Sequence, residues 1–232
     1  MTVKLISYSQ PTQEFAQEWK EEPSLQDLVV YCARVSNPSN QANQDTAEKL
    51  ARFLAKHAHW SPFEMVNVVL EIETTRDIAH QIVRHRSFAF QEFSQRYADP
   101  TKDLEFVLRE ARLQDTKNRQ NSIELDPSDP ESAALEEEWY QRQRKVKDAA
   151  IASYRWAIEN GIAKEQARAV LPEGMMTSRL YMNGTLRSWL HYVGLRSGNG
   201  TQKEHAVIAR ECGVEIAKIF PMINEYVCDG ER

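Results

Sequence analysis

Alternating apolar and polar positions mark several stretches of the chain as β-strands. Residues 3–8 and 66–72 alternate with a period of two, which is typical of a strand with one face buried. Two further runs, 104–108 and 175–182, are candidates for additional strands. The Asn-Gly pair at 183–184 is predicted to be a turn that ends the last of them.

Helical spacing of apolar residues covers most of the remaining chain. Asp129-Pro130 is a strong helix start, and Asp45 with Glu48 and Thr201 with Glu204 have the spacing of capping boxes. Thr185 is predicted to cap a further helix, which the Gly-Asn-Gly run at 198–200 should end. One helix is predicted to place an apolar stripe on its face, formed by Leu50, Phe53, Leu54 and His57. The predicted helices cover about 24–36, 45–57, 75–85, 130–160, 164–170, 185–197 and 201–219.

These elements predict one α+β domain over residues 1–232, with a mixed or antiparallel sheet packed against long helices. The helix over 130–160 is long enough to pack against a second subunit. Residues 109–130 are polar and rich in turn formers, so we expect a mobile insertion there.

Composition narrows the class of protein. The chain has 232 residues, 41% of them hydrophobic and 27% charged, with a formal net charge of −5. An acidic protein suits a small anionic ligand better than nucleic acid, and no apolar run reaches the roughly 20 residues of a membrane span. Three widely spaced cysteines and an N-terminus without a signal peptide favour a reduced, cytoplasmic protein.

The densest functional candidate is the stretch 84–97. It holds three arginines, a histidine, a glutamate, two glutamines and two serines among three phenylalanines and a tyrosine. Arginine forks favour bidentate contacts with phosphate or carboxylate, and the aromatic residues would tie the segment to a core. We therefore predict the floor of a binding site for a flat anion. Ser94 fits a phosphate contact better than a nucleophile, because only Glu92 is near it as a base.

Other polar residues leave alternatives open. Arg168 has apolar neighbours, so either an internal salt bridge or an anionic ligand would satisfy it. Arg187 and Arg196 are nine residues apart on one predicted helix and should point to different sides. Two rival functions are a nucleotide- or RNA-binding module and a metal-dependent hydrolase. The hydrolase would use four histidines, namely His57, His59, His80 and His85, although their spacing is not that of a typical metal site.

The Arg84-His85-Arg86 triplet, followed by Glu92, Ser94 and Arg96, resembles the signature of flavin-dependent thymidylate synthases. The chain departs from that signature at Ala89 and Gln91, where the family has serine and asparagine, and at Gly200, where some members have histidine. The resemblance spans about 33 to 210 and extends to four other segments in family order: 33–36, 59–64, 167–172 and 186–196.

The resemblance implies reductive methylation of dUMP to dTMP, in de novo dTMP biosynthesis. The carbon donor would be 5,10-methylenetetrahydrofolate, and FAD reduced by NADPH would supply the hydride. It also implies a homotetramer with shared active sites, without nucleic acid, membrane or metal. Arg196 is the expected catalytic residue, because a fixed guanidinium would stabilise negative charge on the uracil ring.

The resemblance also assigns binding residues. Those expected at dUMP are Gln81, Ile82, Val83, Arg84, Glu92, Phe93, Ser94, Gln95, Arg96, Arg168 and Arg196. Those expected at FAD are Ser36, His59, Ser61, Arg84, His85, Arg86, Glu92, Thr185, Leu186, Arg187 and His191.

Overall fold

A four-stranded antiparallel sheet organises the computed structural model, which describes residues 1–17, 23–198 and 200–228. The strands of this sheet lie in the order β1-β2-β6-β3, and a separate two-stranded hairpin is formed by β4 and β5. The strands are β1 (Thr2–Tyr8), β2 (Asn67–Thr75), β3 (Ala89–Glu92), β4 (Arg112–Gln114), β5 (Ser122–Glu124) and β6 (Thr177–Thr185).

Helices account for most of the other described residues. The α-helices are α1 (Gln13–Ala16), α2 (Leu25–Ala33), α3 (Ala47–Lys56), α4 (Arg76–Ile82), α5 (Pro100–Asp103), α6 (Pro130–Glu159), α7 (Lys164–Ala167), α8 (Leu186–Arg196) and α9 (Lys203–Ala217). Short 3-10 turns occur at Pro38–Asn40, Ser61–Met65, Arg168–Val170 and Pro221–Tyr226. None of the helices in the described ranges has the length and apolar content needed to cross a membrane.

The main core lies between the sheet and helices α2, α3, α8 and α9. The buried face of β2 carries Val68, Leu70 and Ile72, as the alternation predicted. A smaller core joins the end of α6 to α7 through Tyr154 and Ala167. The α+β class and the antiparallel sheet agree with the sequence prediction, whereas the domain limits of 1–232 stay a prediction.

Several helix starts follow from local side-chain chemistry. Asp129 caps α6 by accepting from the backbone N–H of Ser132 at 2.9 Å, and Thr185 caps α8. Ser24 and Asp27 form a complete capping box at the start of α2. The two capping boxes predicted from the sequence are wrong: α3 begins after Thr46 and α9 after Gln202, neither with a side-chain cap.

The apolar stripe predicted on α3 is also only partly correct. Leu54 is buried, but the rest of the buried face consists of the small residues Ala47, Ala51 and Ala55. Phe53 is half exposed and stacks on His57, with ring centroids 4.3 Å apart. Small residues face the core here because α2 packs closely against α3.

Two strand predictions need correction. Residues 104–108 form no strand, since only Phe106 makes an isolated bridge, to Met176. The pair 183–184 is not a turn, because Asn183 and Gly184 lie within β6 and pair with β2. A Cβ at Gly184 would lie 2.3 Å from Cδ1 of Phe88, so this glycine is required by close packing and not by a turn.

The segment 109–130 contains the β4–β5 hairpin. Arg112 on β4 is paired with Glu204, and Lys203 with Glu124 at 2.5 Å, so the hairpin contacts the start of α9. Its mobility stays a prediction. The predicted end of α8 at residues 198–200 includes Asn199, which lies outside the described residues; the helix ends at Arg196.

Candidate active site

The Arg84-His85-Arg86 triplet lies in the turn between α4 and β3. The backbone N–H of His85 donates to the carbonyl of Ile82 at 3.0 Å, which ends the helix and reverses the chain. Phe88 then packs edge-on against Trp189 of α8, with centroids 4.8 Å apart. The aromatic residues of this stretch therefore attach the triplet to the core, as the sequence predicted.

The three residues of the triplet have different environments. Arg84 and Arg86 are exposed, whereas His85 is half buried. In the part of the chain that the structure describes, neither Arg84 nor Arg86 has a carboxylate partner. Two guanidinium groups without counter-ions favour an anionic ligand at this turn.

Arg196 meets His85 from the end of α8. Its Nε donates to Nε2 of His85 at 3.0 Å, and Tyr192 packs edge-on against the same imidazole at 5.0 Å. Burial, and then the positive charge of Arg196, lower the pKa of His85 below its usual range. A neutral imidazole can accept this hydrogen bond, which fixes the guanidinium and leaves its terminal nitrogens to meet a ligand.

A hydrogen-bonded cluster continues inward from this pair. His205 on α9 is fully buried, its Nε2 lies 3.2 Å from the hydroxyl of Tyr192, and its Nδ1 lies 3.1 Å from Oε1 of Gln81. Burial, followed by the charge of Arg196 and by His85, lowers the pKa of His205 to about 3. We call this set the His85 cluster; its members are Gln81, His85, Tyr192, Arg196 and His205.

Sequence reasoning placed Gln81, His85 and Arg196 in the site but missed Tyr192 and His205. His205 occupies the same face of α9 as the buried residues Ala209, Cys212 and Ile216. A lone histidine in an apolar stripe has no sequence signal that separates it from a core position, so only the tertiary structure identifies it.

A second group of predicted residues lies beyond β3. Arg96 Nε is 3.7 Å from Oε2 of Glu165, and Arg168 Nε donates to the backbone carbonyl of Glu165 at 3.4 Å. We call Arg96, Glu165 and Arg168 the Glu165 group. The sequence left two alternatives open for Arg168, an internal salt bridge or an anionic ligand. Arg168 is half buried, its guanidinium donates to that carbonyl, and within the described residues no hydrogen bond or ion pair joins it to the His85 cluster.

Glu92 lies at the end of β3 between these two groups. It accepts from the hydroxyl of Ser178 at 2.7 Å, and Arg76 lies 3.5 Å away. Gln95 is buried, with its Nε2 3.1 Å from the sulfur of Met176, so its side chain supports the loop. Ser94 Oγ accepts from the N–H of Arg96 at 3.4 Å.

The other residues expected to contact a ligand differ in how exposed their side chains are. Ser36, His59 and Ser61 are exposed, whereas the side chains of Ile82 and Leu186 are fully buried and can meet a ligand only through their backbone. Arg187 is paired with Glu64, and so points to a different side from Arg196, as predicted.

His191 packs against Trp60, with ring centroids 4.6 Å apart, and burial lowers the pKa of its imidazole. The remaining expected contacts are Val83, which caps α4, Phe93, whose N–H donates to Arg179, and Thr185, which caps α8.

The described residues give little support to a metal-dependent hydrolase or to a cysteine nucleophile. Among the described residues, no three histidine, cysteine, aspartate or glutamate side chains are grouped so that they could hold a metal ion. Burial raises the pKa of the Cys212 thiol and also that of Cys32, which makes both poor nucleophiles at neutral pH.

Comparison with known proteins agrees with this geometry. The model of the thymidylate synthase complementing protein family, Thy1, matches residues 19–222. The chain is 46% identical to the flavin-dependent thymidylate synthase of Synechocystis sp., with 96% of this chain and 97% of that protein covered. It is 44% identical to the probable flavin-dependent thymidylate synthase of Paramecium bursaria Chlorella virus 1, with the same coverage.

A solved structure shares the fold. The crystal structure of a UMP/dUMP methylase from Streptomyces cacaoi, bound with 5-Br dUMP, superposes with a TM-score of 0.75 at 24% identity, covering 97% of this chain and 93% of that one. The family model and the two relatives cover nearly the whole chain. The chain therefore belongs to the Thy1 family, the flavin-dependent thymidylate synthases.

Proposed function

We propose that this protein methylates dUMP reductively to dTMP, with 5,10-methylenetetrahydrofolate as the carbon donor and FAD, reduced by NADPH, as the source of hydride. Membership of the family makes the chain a flavin-dependent methyltransferase. The observation that carries the proposal is the Arg196–His85 pair, a guanidinium held by a neutral imidazole. Beside it lie two arginines that have no carboxylate partner among the described residues.

Arg196 is the proposed catalytic residue. Methylation at C5 of uracil requires electron density to build up on the ring, and a guanidinium aimed at the ring carbonyls stabilises that charge. His85 orients the guanidinium without competing for its charge, because a neutral acceptor does not form an ion pair. The raised pKa values of the Cys212 and Cys32 thiols fit a mechanism that needs no covalent bond between these cysteines and uracil.

The residues present fit a flavin. Arg84 and Arg86 supply two exposed guanidinium groups for the diphosphate, and the start of α8, capped by Thr185, lies beside the triplet through the bond from Ser188 Oγ to the carbonyl of Ser87 at 3.1 Å. His191 and Trp60 add an aromatic surface. When bound, FAD would supply redox chemistry that none of the protein's own side chains can provide.

The nucleotide's phosphate and sugar would be held on the other side of the site. Arg96 and Arg168 are the proposed phosphate contacts, with the hydroxyl of Ser94. The bond between Arg96 and Glu165 is long at 3.7 Å, so a phosphate can replace the carboxylate. Glu92 is fixed by Ser178 and can accept from a sugar hydroxyl.

A homotetramer with active sites shared between subunits would join these two sides. No hydrogen bond or ion pair links the Glu165 group to the His85 cluster within the described part of one chain, although both are expected at the same nucleotide. Trp139, Val146 and Trp156 on α6 are 42%, 51% and 60% exposed, which gives this long helix apolar surface that another subunit would cover. Cytoplasmic location stays a prediction.

The first test is the visible spectrum of the purified protein with and without dUMP. We expect flavin bands that change when dUMP is added and bleach under NADPH, and dTMP should form when 5,10-methylenetetrahydrofolate is present. A colourless protein that takes up no added FAD would refute the proposal. Light scattering on the same sample measures the mass and so tests the tetramer separately.

A further inference from the structure

Gln81 is held by hydrogen bonds on both sides of its amide. On one side, Oε1 lies 3.1 Å from Nδ1 of His205. On the other side, Nε2 donates to Oε1 of Gln202 at 2.8 Å. Because Gln81 Oε1 can only accept, His205 must carry its proton on Nδ1, and its Nε2 must then accept from the hydroxyl of Tyr192.

The bonds therefore form a chain with one direction. It runs from the hydroxyl of Tyr192 through His205 to Gln81, and from Gln81 to Gln202. Gln202 Nε2 then donates to Oε2 of Glu204 at 2.9 Å, and Glu204 is held by Arg112 of the hairpin. Tyr192 and His205 are buried, so solvent does not compete for these bonds. Reversing the Gln81 amide would set its oxygen against Oε1 of Gln202, and Gln202 cannot turn in response because its Nε2 donates to the Glu204 carboxylate.

A fixed amide keeps one N–H and one oxygen lone pair of Gln81 in defined positions. We propose that His205 is a positioning residue, which orients the Gln81 amide toward the bound nucleotide, with Tyr192 fixing the tautomer of His205. This inference rests on the proposed function, because it takes Gln81 to contact dUMP. His205 does not touch substrate in this role, and its effect on dUMP passes through Gln81.

The alternative is that His205 only fills the core. The two roles differ in what happens when Gln81 is absent. A residue that acts through Gln81 loses its effect on dUMP once Gln81 is truncated, whereas a residue that only stabilises the fold does not.

The experiment compares His205→Phe, Gln81→Ala and the double variant by the KM and kcat for dUMP and by flavin content. Tyr192→Phe, which removes a single oxygen, serves as the milder variant if His205→Phe fails to fold. Ile216→Val is the matched control, because it weakens the packing of the same buried face of α9, eleven residues along from His205, and removes no hydrogen bond.

We expect His205→Phe to raise the KM for dUMP roughly 3- to 10-fold, the effect of about one hydrogen bond, with flavin content unchanged. Tyr192→Phe should shift the KM in the same direction by less. The double variant should have the KM of Gln81→Ala, and Ile216→Val should leave the KM at the wild-type value.

Multiplicative effects in the double variant, or equal changes in His205→Phe and Ile216→Val, would overturn the positioning role. A wild-type protein that binds flavin but not dUMP would instead refute the proposed function, and the inference with it. These failures are distinguishable because the second is visible before any substitution is made.

Discussion

The His85 cluster and the Glu165 group differ in how much of their environment one chain supplies. In the His85 cluster, Tyr192 and His205 are buried and joined to Gln81 by hydrogen bonds that require one tautomer and one amide orientation. In the Glu165 group, Arg96 is exposed, with a contact of 3.7 Å to a carboxylate that is itself exposed. The first region is therefore organised before a ligand binds, whereas the arginines of the second are held only loosely and are free to pair with an anionic ligand.

This difference follows from where the residues lie. Arg196 and His205 are on α8 and α9, which pack into the main core, so their side chains have little freedom. Arg96 follows a short edge strand, and Arg168 lies on a 3-10 turn next to the small core. Pre-organisation favours a catalytic role for the first region, whereas loosely held arginines favour phosphate capture by the second.

The largest expected effect comes from removing the pre-organised guanidinium. Arg196→Ala should lower kcat for dUMP by roughly 100- to 1000-fold, because it deletes a fixed charge at the site where negative charge develops. Flavin content should stay near the wild-type value. The measurement is steady-state turnover together with the flavin absorbance of the purified variant.

The matched control is Arg52→Ala. This substitution removes an exposed arginine of α3, which is paired with Glu48 on the same helix and with Glu225 near the C-terminus. It should keep wild-type turnover, since surface ion pairs contribute little. Full activity in Arg196→Ala would remove this residue from the mechanism and would leave the ordered cluster with only a structural role.

The second prediction tests whether the two regions of one chain serve different sites. Arg96→Ala should be nearly inactive at low dUMP, since it loses a proposed phosphate contact. If each site combines Arg196 of one subunit with Arg96 of another, mixing Arg96→Ala with Arg196→Ala subunits should restore up to about one quarter of the sites.

The measurement is activity after the two variants are unfolded, mixed and refolded together, against each variant treated alone. No recovery in an assembly shown to contain both variants would mean that both arginines belong to one chain's site.

The third prediction concerns the dependence of stability on pH. His205 has a pKa of about 3 in the folded protein and an ordinary value near 6.5 when unfolded. Below pH 6.5 the unfolded chain binds a proton that the folded chain does not, so the free energy of unfolding falls as pH falls toward 3. From pH 7 to pH 5 this group should remove about 2 kcal/mol.

Urea unfolding of the wild-type protein and of His205→Phe at pH 7 and pH 5 measures this contribution as a difference between the two proteins. The variant should lose less stability on acidification. Equal losses in both proteins would mean that His205 can be protonated in place, and that the cluster is less rigid than its geometry indicates.

The sequence predicted those features that local chemistry determines. The start of α6 at Asp129-Pro130, the cap at Thr185 and the alternation of β2 depend on neighbours within a few residues, and each is confirmed. The family resemblance assigned Gln81 and Arg196 to the dUMP site and His85 to the FAD site, and the structure brings the three residues into one cluster.

Features set by distant neighbours were not predicted. The Asn-Gly sequence at Gly184 predicts a turn, but glycine is needed there because the ring of Phe88, almost a hundred residues away along the chain, leaves no room for a Cβ. Thr201 and Glu204 have the spacing of a capping box, but Glu204 is instead paired with Arg112 on the hairpin. His205 reads as a core position, since its partners Tyr192 and Gln81 come from two other helices.

The smallest expected effect tests whether the hairpin reaches the ordered region. Arg112→Met removes the charge that holds Glu204 but keeps most of the side chain's apolar volume, and Arg109 still lies 3.8 Å from the same carboxylate. Glu204 should therefore be a less rigid acceptor for Gln202, and the KM for dUMP should rise about 2- to 3-fold, which corresponds to the lower end of the free energy of a single hydrogen bond.

Arg119→Met is the control on the same hairpin, since no carboxylate pairs with Arg119 within the described residues. A KM that rises equally in both variants would indicate a general effect of hairpin charge, whereas a rise in Arg112→Met alone would show that the ordering of Gln81 extends from the buried tyrosine to the surface.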